Sequence, residues 1–352
     1  MYLWGIFWGI FPLQGGVDPN DERVKANMTS EPKKYRLLTR SDFDGLVCAL
    51  LLKELNILGS IKFVHPKDVQ DGKIEVTEDD ILTNLPYVRG CHLCFDHHSS
   101  EELRSDGVVH MNHILMPDAD SAARVLYNYY GGRDVFPNIS EHMMKEVDRA
   151  DAAKFVQEDI LHPREWVLLS FLMDPRTGLG RFHNFRVSNY QLMMQLIDYC
   201  REHTIAEILS LPDVRERTEL YEYHHDNFVA QIQRCTQVHG KVVVLDLRGE
   251  EVIYAGNRFM IYALFPECEL SIHVIWGLKQ QNTVFTVGHS ITNRTCRTNV
   301  GDLMLKYGGG GHRGVGTCQV PNEAAERTLQ ELIDALKEPQ FAAERELVGA
   351  GR

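Results

Sequence analysis

Two short apolar runs, each cut off by a knot of metal-binding side chains, constrain this chain more than any other feature of it. Arg36-Leu37-Leu38 leads into Ser41-Asp42-Phe43-Asp44-Gly45, and Leu93-Cys94-Phe95 leads into Asp96-His97-His98. Apolar runs of this length bounded by turn-forming residues are buried strands. Asp42, Asp44, Asp96, His97 and His98 then stand at the C-terminal ends of strands, where ligands bind in an open α/β sheet. Asp42 and Asp44 can reach one ion if the backbone turns sharply between them, and Gly45 permits such a turn ahead of a helix over residues 46–55. Imidazole among carboxylates widens the choice of cation beyond magnesium and calcium. Manganese is the first expectation and magnesium the second. Two ions ~3.5–4 Å apart would clamp the attacking and leaving oxygens of a phosphoryl transfer. Taken singly, Asp42 is a turn residue, Asp44 a helix cap and the histidines surface residues; together they read as a cation site.

A third segment points the same way. Tyr307-Gly308-Gly309-Gly310-Gly311-His312-Arg313-Gly314 lies between a helical pattern over 300–306 and a strand-like run over 316–320. Glycines let backbone N–H groups approach an anion closely, and His312 and Arg313 can donate to phosphate oxygens. A flexible surface loop would give no reason for a histidine and an arginine to follow at once.

On these residues the chain resembles the DHH phosphoesterase superfamily, in the branch whose second domain carries a glycine-rich GGGH loop. That branch includes exopolyphosphatases, oligoribonucleases, 3′-phosphoadenosine phosphatases and cyclic dinucleotide phosphodiesterases. The match runs from about residue 35 to 320. The resemblance implies that Asp42 and Asp44 form the first motif, Asp96, His97 and His98 the third, and Gly309, Gly310, Gly311 and His312 the substrate loop, with Arg313 beside it. It implies cation ligands at Asp42, Asp44, Asp96, His98 and a fourth-motif aspartate, either Asp148 or Asp151. His97 would then sit by the reacting phosphate, stabilising charge or protonating the leaving group, while metal-activated water attacks in line. Arg294 and Arg297 precede the loop where relatives often hold a phosphate or base. Two positions depart from the family pattern. Leu38 replaces a histidine, and Asn84 stands where an aspartate usually follows a strand, so one of two cation positions is weakened. The consequence is one tight ion plus one recruited with substrate, an altered metal, or lost hydrolysis.

The chain of 352 residues exceeds a single small core. The α/β class expected is an N-terminal parallel-sheet catalytic domain over 34–157, a helical connecting region over 158–238, and a smaller C-terminal α/β substrate-binding domain over 239–340. Residues 1–33 form an apolar, aromatic-rich extension whose explanation is either a start codon placed too early, with Met28 the natural beginning, or a peripheral membrane tether; 341–352 is a tail. Helices are expected over 122–130 with Ser121 as N-cap, 166–173, 190–200, 205–211 and 214–233, and strands over 242–247, 252–255, 271–276 and 283–288. The turn-rich 174–182, with Arg176 and Arg181, either connects helices or contacts phosphate.

A net charge of −12 argues against a protein that coats long nucleic acid, which needs many basic contacts. A short anion can still be held locally by cations and a few arginines. Eight scattered cysteines, including Cys91 and Cys94, read as reduced thiols in a cytoplasmic protein. The N-terminal stretch is too short to span a bilayer and no other segment suggests membrane insertion, and a homodimer is one assembly open to the chain. Three readings follow: a metal-dependent phosphoesterase acting on short oligonucleotides or nucleoside bisphosphates, an exopolyphosphatase, and a non-hydrolytic nucleotide-binding protein.

Overall fold

The computed structural model describes residues 32–98, 101 and 108–337, so the C-terminal tail and most of the N-terminal extension lie outside the described residues. The first strand, β1 (Tyr35–Thr39), is followed by α1 (Phe43–Glu54), β2 (Leu58–Phe63), α2 (Pro66–Gln70), β3 (Asp80–Thr83), β4 (Leu93–Asp96) and β5 (His113–Leu115). These strands form one parallel sheet in the order β2-β1-β3-β4-β5. From β1 the chain goes out to β2 and then crosses back to β3. The order therefore reverses between β1 and β3, and the loops leaving their C-terminal ends diverge to open a crevice.

Helix α1 is apolar on every side, and its residues from Phe43 to Leu52 are all buried. A helix of that character belongs inside a protein, not on its surface. It is covered by α3 (Ala122–Tyr129), α4 (Glu141–Asp151) and, further along, by α6 (Glu165–Met173), α7 (Asn189–Glu202) and α8 (Ile205–Ser210), with the short α5 (Gln157–Leu161) between α4 and α6. Leu50 and Leu51 share one core with Leu169, Leu192 and Leu196. The expected connecting helices thus complete the first lobe's core.

After the long α9 (Pro212–Arg234) comes the second lobe: β6 (Thr236–His239), β7 (Val242–Asp246), α10 (Met260–Leu264), β8 (Leu270–Trp276), β9 (Thr283–His289), α11 (Val300–Leu305), β10 (Gly310–His312), β11 (Val315–Val320) and α12 (Ala325–Lys337). Its sheet is mixed, in the order β10-β11-β9-β8-β7-β6, with a parallel pair at β7–β8. The protein is thus α/β, with a parallel sheet and a second, mixed one. Val167, Phe171 and Ile232 pack against Val243, Leu245 and Phe259, so apolar contact fixes one lobe on the other.

Two expectations need correction. Residues 252–255 do not form a strand: Tyr254 N donates to Gln231 Oε1 at 3.1 Å and Ala255 N to His224 Nδ1 at 3.0 Å. Side chains of α9 satisfy these amides in place of a neighbouring strand. Gly310 and Gly311, expected within a substrate loop, belong instead to β10, paired antiparallel with β11. A Cβ at Gly309 would lie 2.2 Å from Thr317 O, and one at Gly311 would lie 2.3 Å from Val315 O. These glycines are required by backbone-to-backbone packing.

No helix among the described residues is long and apolar enough to cross a membrane. All eight cysteines are free, Cys91 and Cys94 both buried.

Candidate active site

Asp42 caps α1, its Oδ1 accepting from Gly45 N at 3.1 Å while Oδ2 faces Arg40 Nε at 3.1 Å. Gly45 serves close approach and not a turn: a Cβ there would sit 2.1 Å from Arg40 O. In the first turn of the helix, Asp44 points at the start of α3 and accepts from Ala123 N at 2.7 Å and Ala122 N at 3.3 Å. Those unpaired helix-start amides favour a negative group. Burial nonetheless pushes the Asp44 carboxyl well above the usual carboxylate range, and Asp151 adds to it, with His97 offsetting part. Asp42 is raised too, by burial against the pull of Arg40.

Strand β4 delivers Asp96, which is 1% exposed. Its Oδ1 accepts from His97 N at 2.8 Å, His98 N at 3.3 Å and His98 Nδ1 at 2.7 Å. Asp96 therefore sets the turn and orients the His98 ring, which meets His312 of the second lobe at 5.5 Å between ring centres. His97 is turned the other way. Its Nδ1 faces Ala119 O at 3.1 Å, which puts the proton on Nδ1, and Nε2 lies 2.7 Å from Asp151 Oδ2, off the line of a hydrogen bond. Burial would depress its pKa, but Asp151, Asp44 and Asp96 outweigh burial and lift it to about 9. Asp151 moves down, because His97 and Arg40 overcome burial.

Two sets of donor atoms result, each lying within 4.8 Å of one another: Asp44, His97 and Asp151, and Asp96, His97 and His98. Asp151 raises the pKa of both Asp42 and Asp44, and the imidazole Nε2 of His97 stands with carboxylate oxygens of Asp44 and Asp151. The donor set fits a divalent cation with mixed oxygen and nitrogen preference. Asn84 follows β3, next to the ends of β1 and β4. It is 2% exposed, has φ of 54°, and neither atom of its side-chain amide has a partner among the described residues. Leu38 packs among Leu82, Leu85 and Val69, away from these donors.

Asp42, Asp44, His97, His98, Asp151, Arg294 and His312 line one cleft of about 630 Å³ between the lobes. Asp148 is not among them. Ser121 Oγ donates to it at 2.7 Å and Arg124 Nε at 2.9 Å, so packing of α3 on α4 consumes this carboxylate. Gly309, Gly310, Gly311, Arg297 and Arg313 do not line the cleft either; the two arginines are exposed, and Arg313 contributes its carbonyl to Val300 N. Sequence reasoning missed Arg40, Asp174, Arg258, Tyr262, His289 and Ser290, all of which line it. Within 174–182 the structure separates the two arginines: Arg176 lines the cleft, whereas Arg181 donates to Ile253 O at 2.9 Å.

The chain is similar to the pGpG-specific phosphodiesterase PggH from Vibrio cholerae, with 56% sequence identity and a TM-score of 0.75 over 86% of this chain and 99% of that one. It is also similar to CDC45 from Entamoeba histolytica (10% identity, TM-score 0.48, 90% of this chain and 98% of that one) and to RecJ from Thermus thermophilus in complex with Mn2+ (15%, 0.44, 86% and 52%). No protein-family model and no curated protein matches the chain. The chain belongs to the DHH phosphoesterase superfamily and is a phosphohydrolase.

Proposed function

We propose that the chain is a divalent-metal-dependent phosphodiesterase that hydrolyses the linear dinucleotide pGpG, with manganese as its cation and magnesium as the substitute. The observation that carries this reading is the convergence of Asp44, His97 and Asp151 within 4.8 Å at the base of a cleft, in a chain 56% identical to a pGpG-specific enzyme. Asp44, His97 and Asp151 hold one ion, with Asp42 beside them. When bound, the cation lowers the pKa of water and neutralises charge developing on phosphorus. Asn84 offers a neutral carbonyl to a second, weaker ion, which supports one tight cation and one recruited with substrate.

The chain's own side chains do the rest. The resemblance implied His98 as ligand and His97 at the phosphate; the geometry favours the reverse. His97 has its Nε2 among carboxylates, while His98, held through Nδ1 by Asp96, stands at the cleft next to His312. His98 and His312 are thus placed to donate to the scissile phosphate or to protonate the departing oxygen. The three-donor set needs neither Leu38 nor Asn84, which removes the motive for a non-hydrolytic role. The cleft suits a dinucleotide better than a long strand, and reduced thiols throughout support a cytoplasmic location.

Purified protein is offered pGpG, 3′-phosphoadenosine 5′-phosphate, a cyclic dinucleotide and polyphosphate, with manganese or with a chelator. Manganese-dependent release of GMP from pGpG, lost in Asp151→Asn, is expected. Preference for another compound, or turnover that survives both chelation and Asp151→Asn, refutes the reading.

A further inference from the structure

The cleft has a second charged centre, distinct from the acidic one. Asp174 closes α6, and the short 3₁₀ turn after it presents Arg176; Arg258 comes from the other lobe, just ahead of α10. One carboxylate holds both guanidinium groups. Asp174 Oδ1 accepts from Arg176 Nε at 2.7 Å and Oδ2 from Arg258 Nε at 3.2 Å. Each arginine thereby uses a single nitrogen. No hydrogen bond from a terminal nitrogen of either forms among the described residues.

A backbone bond ties the two arms, Gly256 N donating to Thr177 O at 3.0 Å, and within the first arm Thr177 Oγ1 donates to Phe171 O at 2.5 Å. Arg258 also stacks on Phe259, its guanidinium carbon 4.0 Å from the ring centre. Two like charges thus share one carboxylate, half out of water, with no acceptor for their terminal donors among the described residues. Burial first, and then Arg176, bring Arg258 down to about 10. An anion between the forks would relieve that repulsion and occupy the idle donors, which are shaped for bidentate binding of phosphate.

We infer that Arg176 and Arg258, held by Asp174, bind the terminal 5′-phosphate of the substrate and so make the enzyme read linear, 5′-phosphorylated dinucleotides. This rests on the phosphodiesterase reading proposed above. A 5′-phosphorylated dinucleotide carries two phosphates of different charge. The linking diester is the one cut and must lie at Asp44, His97 and Asp151, with one negative charge. The terminal monoester carries about −1.5 to −2 near neutrality. The second centre brings two guanidinium charges against one carboxylate, a net positive site that matches the monoester. A substrate with no terminal phosphate leaves both forks unpaired, and one with a further nucleotide in that place cannot present a free monoester there.

The test compares kcat/KM for pGpG with kcat/KM for unphosphorylated GpG, in manganese, for the full chain and for Arg176→Gln and Arg258→Gln. Wild type is expected to prefer pGpG on the order of tenfold to a hundredfold, the scale of charge-assisted phosphate bonds. In each variant that ratio falls toward one, mostly through KM, and Arg258→Lys recovers part of it. Arg176 is half exposed, so Arg176→Gln carries the test if Arg258→Gln does not fold. A wild-type ratio near one, or a ratio retained in the variants while both substrates slow together, overturns the inference and gives the pair to the scissile phosphate or to the fold. Wild type that cleaves neither compound overturns the function proposed above, and this inference with it.

Discussion

His97 presents Nδ1 to the carbonyl of Ala119 at 3.1 Å and Nε2 to a carboxylate oxygen of Asp151 at 2.7 Å, so one ring joins the strand end at β4 to the end of α4. The Ala119 contact fixes which nitrogen carries the proton, and it leaves Nε2 as the lone-pair donor among buried acids. His97→Ala should therefore abolish manganese binding, whereas His98→Ala should keep it and lose on the order of 10²–10⁴-fold in kcat. Calorimetric titration of manganese into both variants checks this, and equal loss of binding in the two would contradict the division of roles.

Cation binding should release protons. Without a cation His97 titrates at about 9, so it carries a proton at pH 7 that a cation must displace, and the raised Asp44 carboxyl works in the same direction. Manganese affinity should climb as pH rises from 6.5 toward about 9 and level off beyond. Titrations in buffers of different ionisation enthalpy measure the protons released; an affinity flat across that range would contradict the shifts.

The same raised carboxyl makes the cation-free fold sensitive to pH. A carboxyl whose folded pKa exceeds its unfolded value binds more protons when folded, so stability falls as pH rises through that interval. His97 acts in the same direction: its raised pKa stabilises the fold below about 6.5, and that contribution is lost as pH climbs through about 9. The gap in Tm between manganese-loaded and chelated protein should widen from pH 5 to pH 8. Thermal melts read it directly, and a gap that narrows would contradict the sign.

Asn84→Asp should tighten manganese binding or add a second site, because the amide it replaces is buried at the end of β3 with no partner among the described residues. An unchanged titration would show that Asn84 takes no part.

Gly45→Ala should destabilise the fold by about 1–3 kcal/mol, as overpacking does. Its Cβ would press on Arg40 O and Thr39 Oγ1 and displace Asp42 and Asp44 together. Activity should fall with stability, and a variant with wild-type Tm and turnover would contradict the packing argument.

The strand ends are legible in the sequence because two signals coincide there, an apolar run and then acids and histidines that cannot stay in a core without a partner. The α/β class follows from the same alternation. What sequence could not supply were choices made by distant partners. Neighbours His97 and His98 face opposite ways only because Ala119 and Asp96 accept from different rings. Asp148 and Asp151 look alike until Ser121 and Arg124 of the α3 region claim Asp148. Arg258 has no local signature, since it becomes a cleft residue through Asp174 from the other lobe. The glycine run reads as a phosphate cradle, yet the need for Gly309 and Gly311 comes from β11 lying against them.

The central claim is that Asp44, His97 and Asp151 hold the cation on which hydrolysis depends. Anomalous diffraction from a crystal soaked in manganese tests it most directly. The account predicts a peak bonded to carboxylate oxygens of Asp44 and Asp151 and to Nε2 of His97; a peak held by His98 with His97 turned away, or none in the cleft, would contradict it.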